Sequence, residues 1–248
     1  MDVAAYLARI GVKGEVEPGL PDLERLQRAH LTAVPFENLD LFYRRGVRTD
    51  VDWSLPKIIE RGRGGWCFEL NGAFASLLDA LGFSVKRLGA AVLLDPPSSE
   101  ITHLTLEVAL DRPYLVDVGF GDKFIRPLPL DSEGPHDGGI GQFRFVFDGD
   151  DTTLVALGSD DTVEEQYRFD STPRTASDFN PASDRFQTQP GVQWTQAPFA
   201  TRLIDGGPDR VTLLKDRIRF RNSGDWKEHP VAEDEWPAML EHWFGMTP

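Results

Sequence analysis

Arg61-Gly62-Arg63-Gly64-Gly65-Trp66-Cys67-Phe68-Glu69-Leu70-Asn71 joins a chain breaker to the clearest helical pattern in the sequence. Cys67, Asn71, Phe74, Leu78 and Leu81 follow at spacings of 4, 3, 4 and 3 residues, one stripe of an α-helix. Gly82 ends that helix in the usual C-terminal manner. Upstream the chain also reads as helices. Asp2 is placed to cap a short one with Tyr6, Leu7 and Ile10 inward. Pro21-Asp22 opens a second, with Leu23, Leu26, Ala29, His30 and Ala33 on one face and Pro35 as its stop. Trp53 to Glu60 predicts a third.

From Phe83 the period changes from helix to strand. His103-Leu104-Thr105-Leu106-Glu107-Val108 alternates polar and apolar, a half-buried strand with His103, Thr105 and Glu107 on its polar face. Tyr114 to Val118 is another strand, ended by Gly119-Phe120-Gly121. Phe143 to Phe147 alternates again before the Asp148-Gly149 turn. Tyr167 to Phe169 is a weaker strand, and Ser171 to Pro190 reads as loop from its Pro, Ser, Thr and Asn content. Val211 to Leu214 and Arg217 to Phe220 are short strands, followed by a Trp-rich helix from Trp236 to Phe244. The acidic clusters Asp148, Asp150, Asp151 and Asp160, Asp161, Glu164, Glu165 read as solvated loops and faces. Helices followed by strands argue an α+β chain rather than a parallel α/β sheet. Three units follow: helices over residues 1–82, antiparallel strands over 83–190, and a small mixed unit over 191–248.

Composition narrows the function. The chain has 248 residues, 26 Lys+Arg against 40 Asp+Glu, a net charge of −14 and one cysteine. That charge opposes sequence-independent nucleic-acid binding, which needs cations against phosphate. One cysteine excludes an intramolecular disulfide and a thiolate metal cluster. The five histidines lack His-x-His or His-Glu-x-x-His spacing, so no metal site is supported. Nor is there a Walker A sequence, a complete dinucleotide fingerprint or a nucleophile elbow. The N-terminus meets Arg9 after a short apolar run, unlike a signal peptide, and the run Leu88 to Leu94 falls far short of the about 20 residues of a membrane helix. The expectation is a soluble, cytoplasmic protein with Cys67 as a free thiol, no membrane partner and no nucleic acid.

Three residues stand out chemically. Cys67 sits in the first turn of its helix, where unpaired amides and the helix dipole favour a thiolate; it also reads as a small core hydrophobe. His103 reads as a general base or a surface histidine. Asp117 interrupts an apolar strand. It reads as the acid orienting an imidazole, or as an acceptor of backbone N–H bonds at the following turn. A hairpin centred on Leu110 puts His103 opposite Asp117, whereas the turn signal Asp111-Arg112-Pro113 centres it near Arg112 and shifts the register by four residues. Both centres leave the pair on one face.

At these residues the chain resembles the arylamine N-acetyltransferases. Val34-Pro35-Phe36-Glu37-Asn38-Leu39 is similar to that family's N-terminal motif, and Arg63-Gly64-Gly65-Trp66-Cys67-Phe68-Glu69-Leu70-Asn71 to its Arg-Gly-Gly-x-Cys-x-Glu-x-Asn motif. Thr102-His103 and Val116-Asp117-Val118-Gly119-Phe120-Gly121 resemble its His and Asp segments. Asp178-Phe179-Asn180 and Trp243-Phe244-Gly245 are weaker echoes. The resemblance implies an N-terminal helical bundle, a central antiparallel β-barrel and a C-terminal α/β lid around a core like that of cysteine proteases and transglutaminases. It implies Cys67 as nucleophile, His103 as base and Asp117 as orienting acid. It places Thr102, Phe120 and Gly121 near the thiol arm of CoA, and Phe36 in the acceptor pocket. Acetyl-CoA would donate through a Cys67 thioester to an arylamine, hydrazine or N-hydroxyarylamine, with no metal. An acyltransferase or amide synthase using another acyl donor, a cysteine hydrolase and a non-catalytic binding module are the rival readings. The last predicts that Cys67, His103 and Asp117 lie out of mutual reach. The chain is short for the family, which implies a trimmed lid or tail, and its acidity calls for a local basic patch to hold CoA.

Overall fold

The computed structural model describes residues 1–94, 96–158, 162–222 and 224–248. Asp160 and Asp161 of the second acidic cluster lie outside the described residues, while Glu164 and Glu165 lie on a strand.

The first part is helical, with α1 (Val3–Arg9), α2 (Leu20–Ala33), a two-residue strand β1 (Phe36–Glu37), α3 (Leu39–Phe42), α4 (Val51–Ile59) and α5 (Cys67–Ala80). Asp2 caps α1 by accepting from the Ala5 amide at 3.0 Å. Asp50, at the start of α4, accepts from the Trp53 amide at 3.0 Å. Helix α5 is not the one-striped helix its spacing predicts. It is buried on nearly every side, because α4 covers one flank and the strands β2 (Ser84–Val92) and β3 (His103–Ala109) another.

An eight-stranded antiparallel sheet follows, adding β4 (Pro113–Val116), β5 (Leu128–Pro129), β6 (His136–Asp137), β7 (Gln142–Asp148), β8 (Asp151–Leu157) and β9 (Val163–Pro173). Its order is β5-β4-β3-β2-β9-β8-β7-β6, and the edge strands β5 and β6 return to each other in a nearly closed barrel. Leu104, Leu106 and Val108 of β3 join the helical core. The other face of β3 is buried too, with His103 and Thr105 2% and 0% exposed, so the expectation of a half-buried strand fails at these positions. The barrel's own core is Leu88, Leu115, Phe143, Phe145, Tyr167 and Phe169 with their neighbours.

The last part contains α6 (Asn180–Thr188), β10 (Ala200–Leu203), β11 (Arg210–Leu213), β12 (Arg217–Asn222), β13 (Asp225–Pro230) and α7 (Trp236–Phe244). The small sheet runs β1-β10-β11-β12-β13, so the helical segment lends it one edge strand. Helix α7 seals its core through Trp236, Leu240 and Phe244.

Two expectations need correction. Ser171 to Pro190 is no loop: it carries the end of β9, a 3₁₀ turn (Ala176–Phe179) and α6. Pro181 is tolerated because it lies in the first turn of α6, where its missing N–H costs nothing. Phe179 and Phe186 hold the segment by packing on Phe68 and Trp66. Strand β9 is also far longer than Tyr167–Phe169. Its exposed outer residues, Glu164, Glu165 and Arg168, hide the pattern, and pairing on both sides with β2 and β8 extends it.

Two glycines in the helical part make opposite predictions. A Cβ on Gly64 would lie 1.9 Å from the Pro35 carbonyl oxygen, whereas one on Gly72 meets nothing nearer than 3.9 Å. Urea denaturation of Gly64→Ala is expected to show a loss of about 1–3 kcal/mol or more, and Gly72→Ala a neutral change or a gain of up to about 1 kcal/mol. Buried His30 is the second case. Desolvation, assisted by Arg9, lowers its pKa to about 3. Above the unfolded value of about 6.5 both states are neutral and its contribution is complete. Between there and about 3 only the unfolded chain takes up the proton, so stability falls with pH. The slope of stability against pH in that window is expected to be shallower in His30→Phe than in the unaltered protein.

Candidate active site

The segment before Cys67 is held by a buried ion network. The Lys57 ammonium, on α4, lies 2.9 Å from Glu69, 2.8 Å from Asp40 and 3.8 Å from Glu37. Arg63 lies 2.7 Å from Glu37 and 3.3 Å from Asp40. Burial lowers the Lys57 pKa, but the three carboxylates outweigh it and the net shift is upward. Glu69 is displaced upward, by burial and by Glu37, despite the attraction of Lys57. Glu69 also accepts from the Trp66 amide at 3.2 Å, capping α5 at the residue before Cys67. Gly64 and Gly65 give way to protein rather than to a ligand. The Pro35 backbone crosses Gly64, and the Glu69 side chain fills the space where a Gly65 Cβ would stand.

Helix α5 thereby presents Cys67 to β3, where His103 opens the strand. The β3–β4 ladder pairs Ala109 with Pro113 and Leu106 with Val116, which centres the hairpin on Asp111. That is midway between the two centres the sequence allows. Continued past Val116, this register sets Asp117 opposite Thr105, two residues along the same face from His103. The contact is therefore diagonal. His103 Nε2 and Asp117 Oδ2 are 2.6 Å apart. Asp117 also fills its turn role, since Oδ1 accepts from the Gly119 amide at 2.9 Å. Asn71 Nδ2 donates to Oδ1 at 2.8 Å and the Tyr167 hydroxyl to Oδ2 at 3.2 Å. Gly119 makes the close approach possible, because a Cβ there would stand 2.7 Å from Cys67 Cα.

Cys67 and His103 line the same cavity, and the thiol acts on the imidazole electrostatically, helping to raise its pKa. With Nε2 on Asp117, the ring nitrogen left for sulfur is Nδ1. Burial lowers the His103 pKa, but the Asp117 charge and hydrogen bond, with help from Cys67, push it up to about 10. Burial raises the Asp117 pKa, and the His103 charge together with the hydrogen bonds from His103, Asn71 and Gly119 brings it below the ordinary carboxylate range. Phe120 and Tyr167 pack against the His103 ring with centroids 4.9 and 5.2 Å away. The binding-module reading, which needs the three residues apart, fails on this geometry.

A cavity of about 770 Å³ opens over Cys67 and His103. Thr102, Phe120 and Phe36 line it; Gly121 does not, and its φ of +81° closes the turn behind Phe120. Thr102 anchors its segment by accepting from the Val92 amide at 3.1 Å. Sequence reasoning missed Tyr167, and it missed Arg185, Phe186 and Trp194 in the cavity wall. Asn71 carried a signal, as a polar residue on an otherwise apolar stripe.

The N-acetyltransferase family model matches residues 19–247. An arylamine N-acetyltransferase of Mycolicibacterium smegmatis is 36% identical over 233 residues, 90% of this chain and 80% of that protein. One from Escherichia coli (strain K12) is 31% identical over 257 residues, 97% of this chain and 87% of that protein. The solved structure of the Mycobacterium marinum arylamine N-acetyltransferase in complex with CoA matches with a TM-score of 0.89 at 29% identity, covering 98% of this chain and 92% of that one. With near-complete coverage in sequence and in fold, this chain belongs to the arylamine N-acetyltransferases, a family of acetyl-CoA-dependent acyltransferases.

Proposed function

We propose that the chain transfers an acetyl group from acetyl-CoA, through a thioester on Cys67, to an arylamine, hydrazine or N-hydroxyarylamine. The observation that carries this reading is the buried line Cys67–His103–Asp117 at the floor of an apolar cavity. His103 holds the Cys67 proton as an imidazolium, which Asp117 orients and stabilises. The thiolate attacks the thioester carbonyl of acetyl-CoA. CoA leaves with the proton from His103, and the acetyl group stays on sulfur. The acceptor nitrogen then attacks that carbonyl and gives its proton to His103. The amide departs and the thiolate is restored. Amides unpaired at the start of α5 meet the negative charge that develops on the acyl oxygen. Thr102 and Phe120 serve the CoA thiol arm, with Gly121 shaping the turn that carries Phe120, and Phe36, wedged against Trp194 and Phe199, serves the acceptor ring. A cytoplasmic setting keeps the thiol reduced. Residues 1–82 form the helical unit, 83–190 the barrel unit together with the α6 segment that follows it, and 191–248 the lid, with β1 tying the first to the third. The relatives do not favour the amide-synthase alternative.

Two experiments test this. Intact mass after incubation with acetyl-CoA alone is expected to show one acetyl adduct, absent in Cys67→Ala and discharged by adding an arylamine; an unmodified protein refutes the scheme. NMR titration of the His103 ring is expected to show it protonated through neutral pH, with a midpoint near the value of about 10 set by Asp117. In Asp117→Asn the larger raising influence is gone and only Cys67 opposes burial, so the midpoint is expected to fall well below about 10.

A further inference from the structure

The cavity wall is mostly apolar, with Phe36, Phe120, Phe186 and Trp194 facing the space above Cys67. Among the described residues that line it, Arg185 supplies the one Lys or Arg side chain and Glu100 the one Asp or Glu. They come from different walls, Arg185 from α6 and Glu100 from the segment joining β2 to β3, and they form an ion pair. Their side chains are 33% and 65% exposed. Such a pair contributes little by itself, because water screens it and holding two long side chains costs entropy. The contact engages one guanidinium nitrogen, Nη1, of a group able to grip a carboxylate or phosphate with two. The Arg185 guanidinium also lies over the Phe186 ring, 5.4 Å from its centroid, which directs the group without consuming its N–H donors. In a chain of net charge −14, a cation placed here is a local exception to the field of the whole molecule.

We propose that Arg185 is an anion-selecting residue of the cavity, exchanging Glu100 for a carboxylate or phosphate oxygen of a bound substrate. The proposal rests on the acetyl-transfer reading and adds to it a substrate class: a molecule with an aromatic or thioester end at Cys67 and an anionic group at Arg185. Glu100 holds the guanidinium in place when no substrate is bound and competes with the incoming anion when one is.

Steady-state acetylation of 4-aminobenzoate and of uncharged 4-methylaniline, with the KM for acetyl-CoA, tests this in the unaltered protein, Arg185→Gln and Glu100→Gln. Changes are read against the unaltered protein, so the intrinsic nucleophilicity of each amine cancels. If the anion is the acceptor's carboxylate, Arg185→Gln lowers the ratio of kcat/KM for 4-aminobenzoate over 4-methylaniline about tenfold, the size of one charge-assisted hydrogen bond. If it is a phosphate of CoA, the KM for acetyl-CoA rises about tenfold instead. Glu100→Gln shifts the same quantity in the opposite direction. Should Arg185→Gln fail to fold, Glu100→Gln, altered at an exposed position, decides alone. Both quantities within about twofold of the unaltered protein overturn the proposal. Absence of any acetyl transfer or Cys67 adduct in the unaltered protein refutes the underlying reading, and the proposal with it.

Discussion

The Asp117 carboxylate is the constraint on which the site depends. It is buried and negatively charged, and a lone charge there would be expelled or neutralised. Four donors remove that cost: the His103 ring, the Asn71 amide, the Tyr167 hydroxyl and the Gly119 backbone N–H. Each comes from a different piece of chain. Asn71 belongs to α5, His103 to β3, Tyr167 to β9, and Gly119 to the turn after β4. Satisfying one carboxylate therefore docks the helical part on the barrel. The same contacts set the protonation of His103, because the ring's charge is stable in a buried place only beside that anion.

The ion network around Lys57 does the corresponding work behind Cys67. Two cations and three carboxylates sit close together, and removing one partner from a buried pair typically costs about 3–5 kcal/mol. Such a network is a poor source of net stability but a strict one of position. It ties α4, the β1–α3 segment and the start of α5 together, so the turn bearing Cys67 has little freedom. Catalysis by a thiol needs that rigidity, since small displacements from an imidazole lose the proton transfer. The cavity above is built differently. Its walls are aromatic and carry one exposed ion pair, which suits a region that must admit two substrates in turn.

Much of this was legible in order of residues. The breaker at Gly62 to Gly65, the helix after it, the α7 helix and the alternation of β3 and β7 follow from period and punctuation. The odd Asp117 in an apolar strand marked a place that needed a partner, and the structure shows it filling both roles at once, imidazole partner and turn acceptor. Where local pattern was overridden, tertiary packing was the cause. Strand β9 lengthens because it lies between two strands, and α6 forms in a Pro- and Ser-rich stretch because Phe179 and Phe186 find Phe68 and Trp66. The face of His103 and Thr105 reads as solvated by alternation alone but lines a barrel interior, whose neighbours lie far away in sequence.

By itself the sequence determined the chemistry available: one thiol at a helix start, a histidine and an aspartate on a shared strand face, glycines where chains cross. These are local properties, set by spacing and residue type. Only the tertiary structure decided the register, centred on Asp111, and with it the diagonal contact of His103 and Asp117. Only it brought Tyr167 to the carboxylate and Arg185 to Glu100 across the cavity. Such contacts join residues tens of positions apart; the one at Asp117 forms because a buried charge must find partners, and the one at Arg185 because two cavity walls meet there. No local pattern encodes which partner each will find.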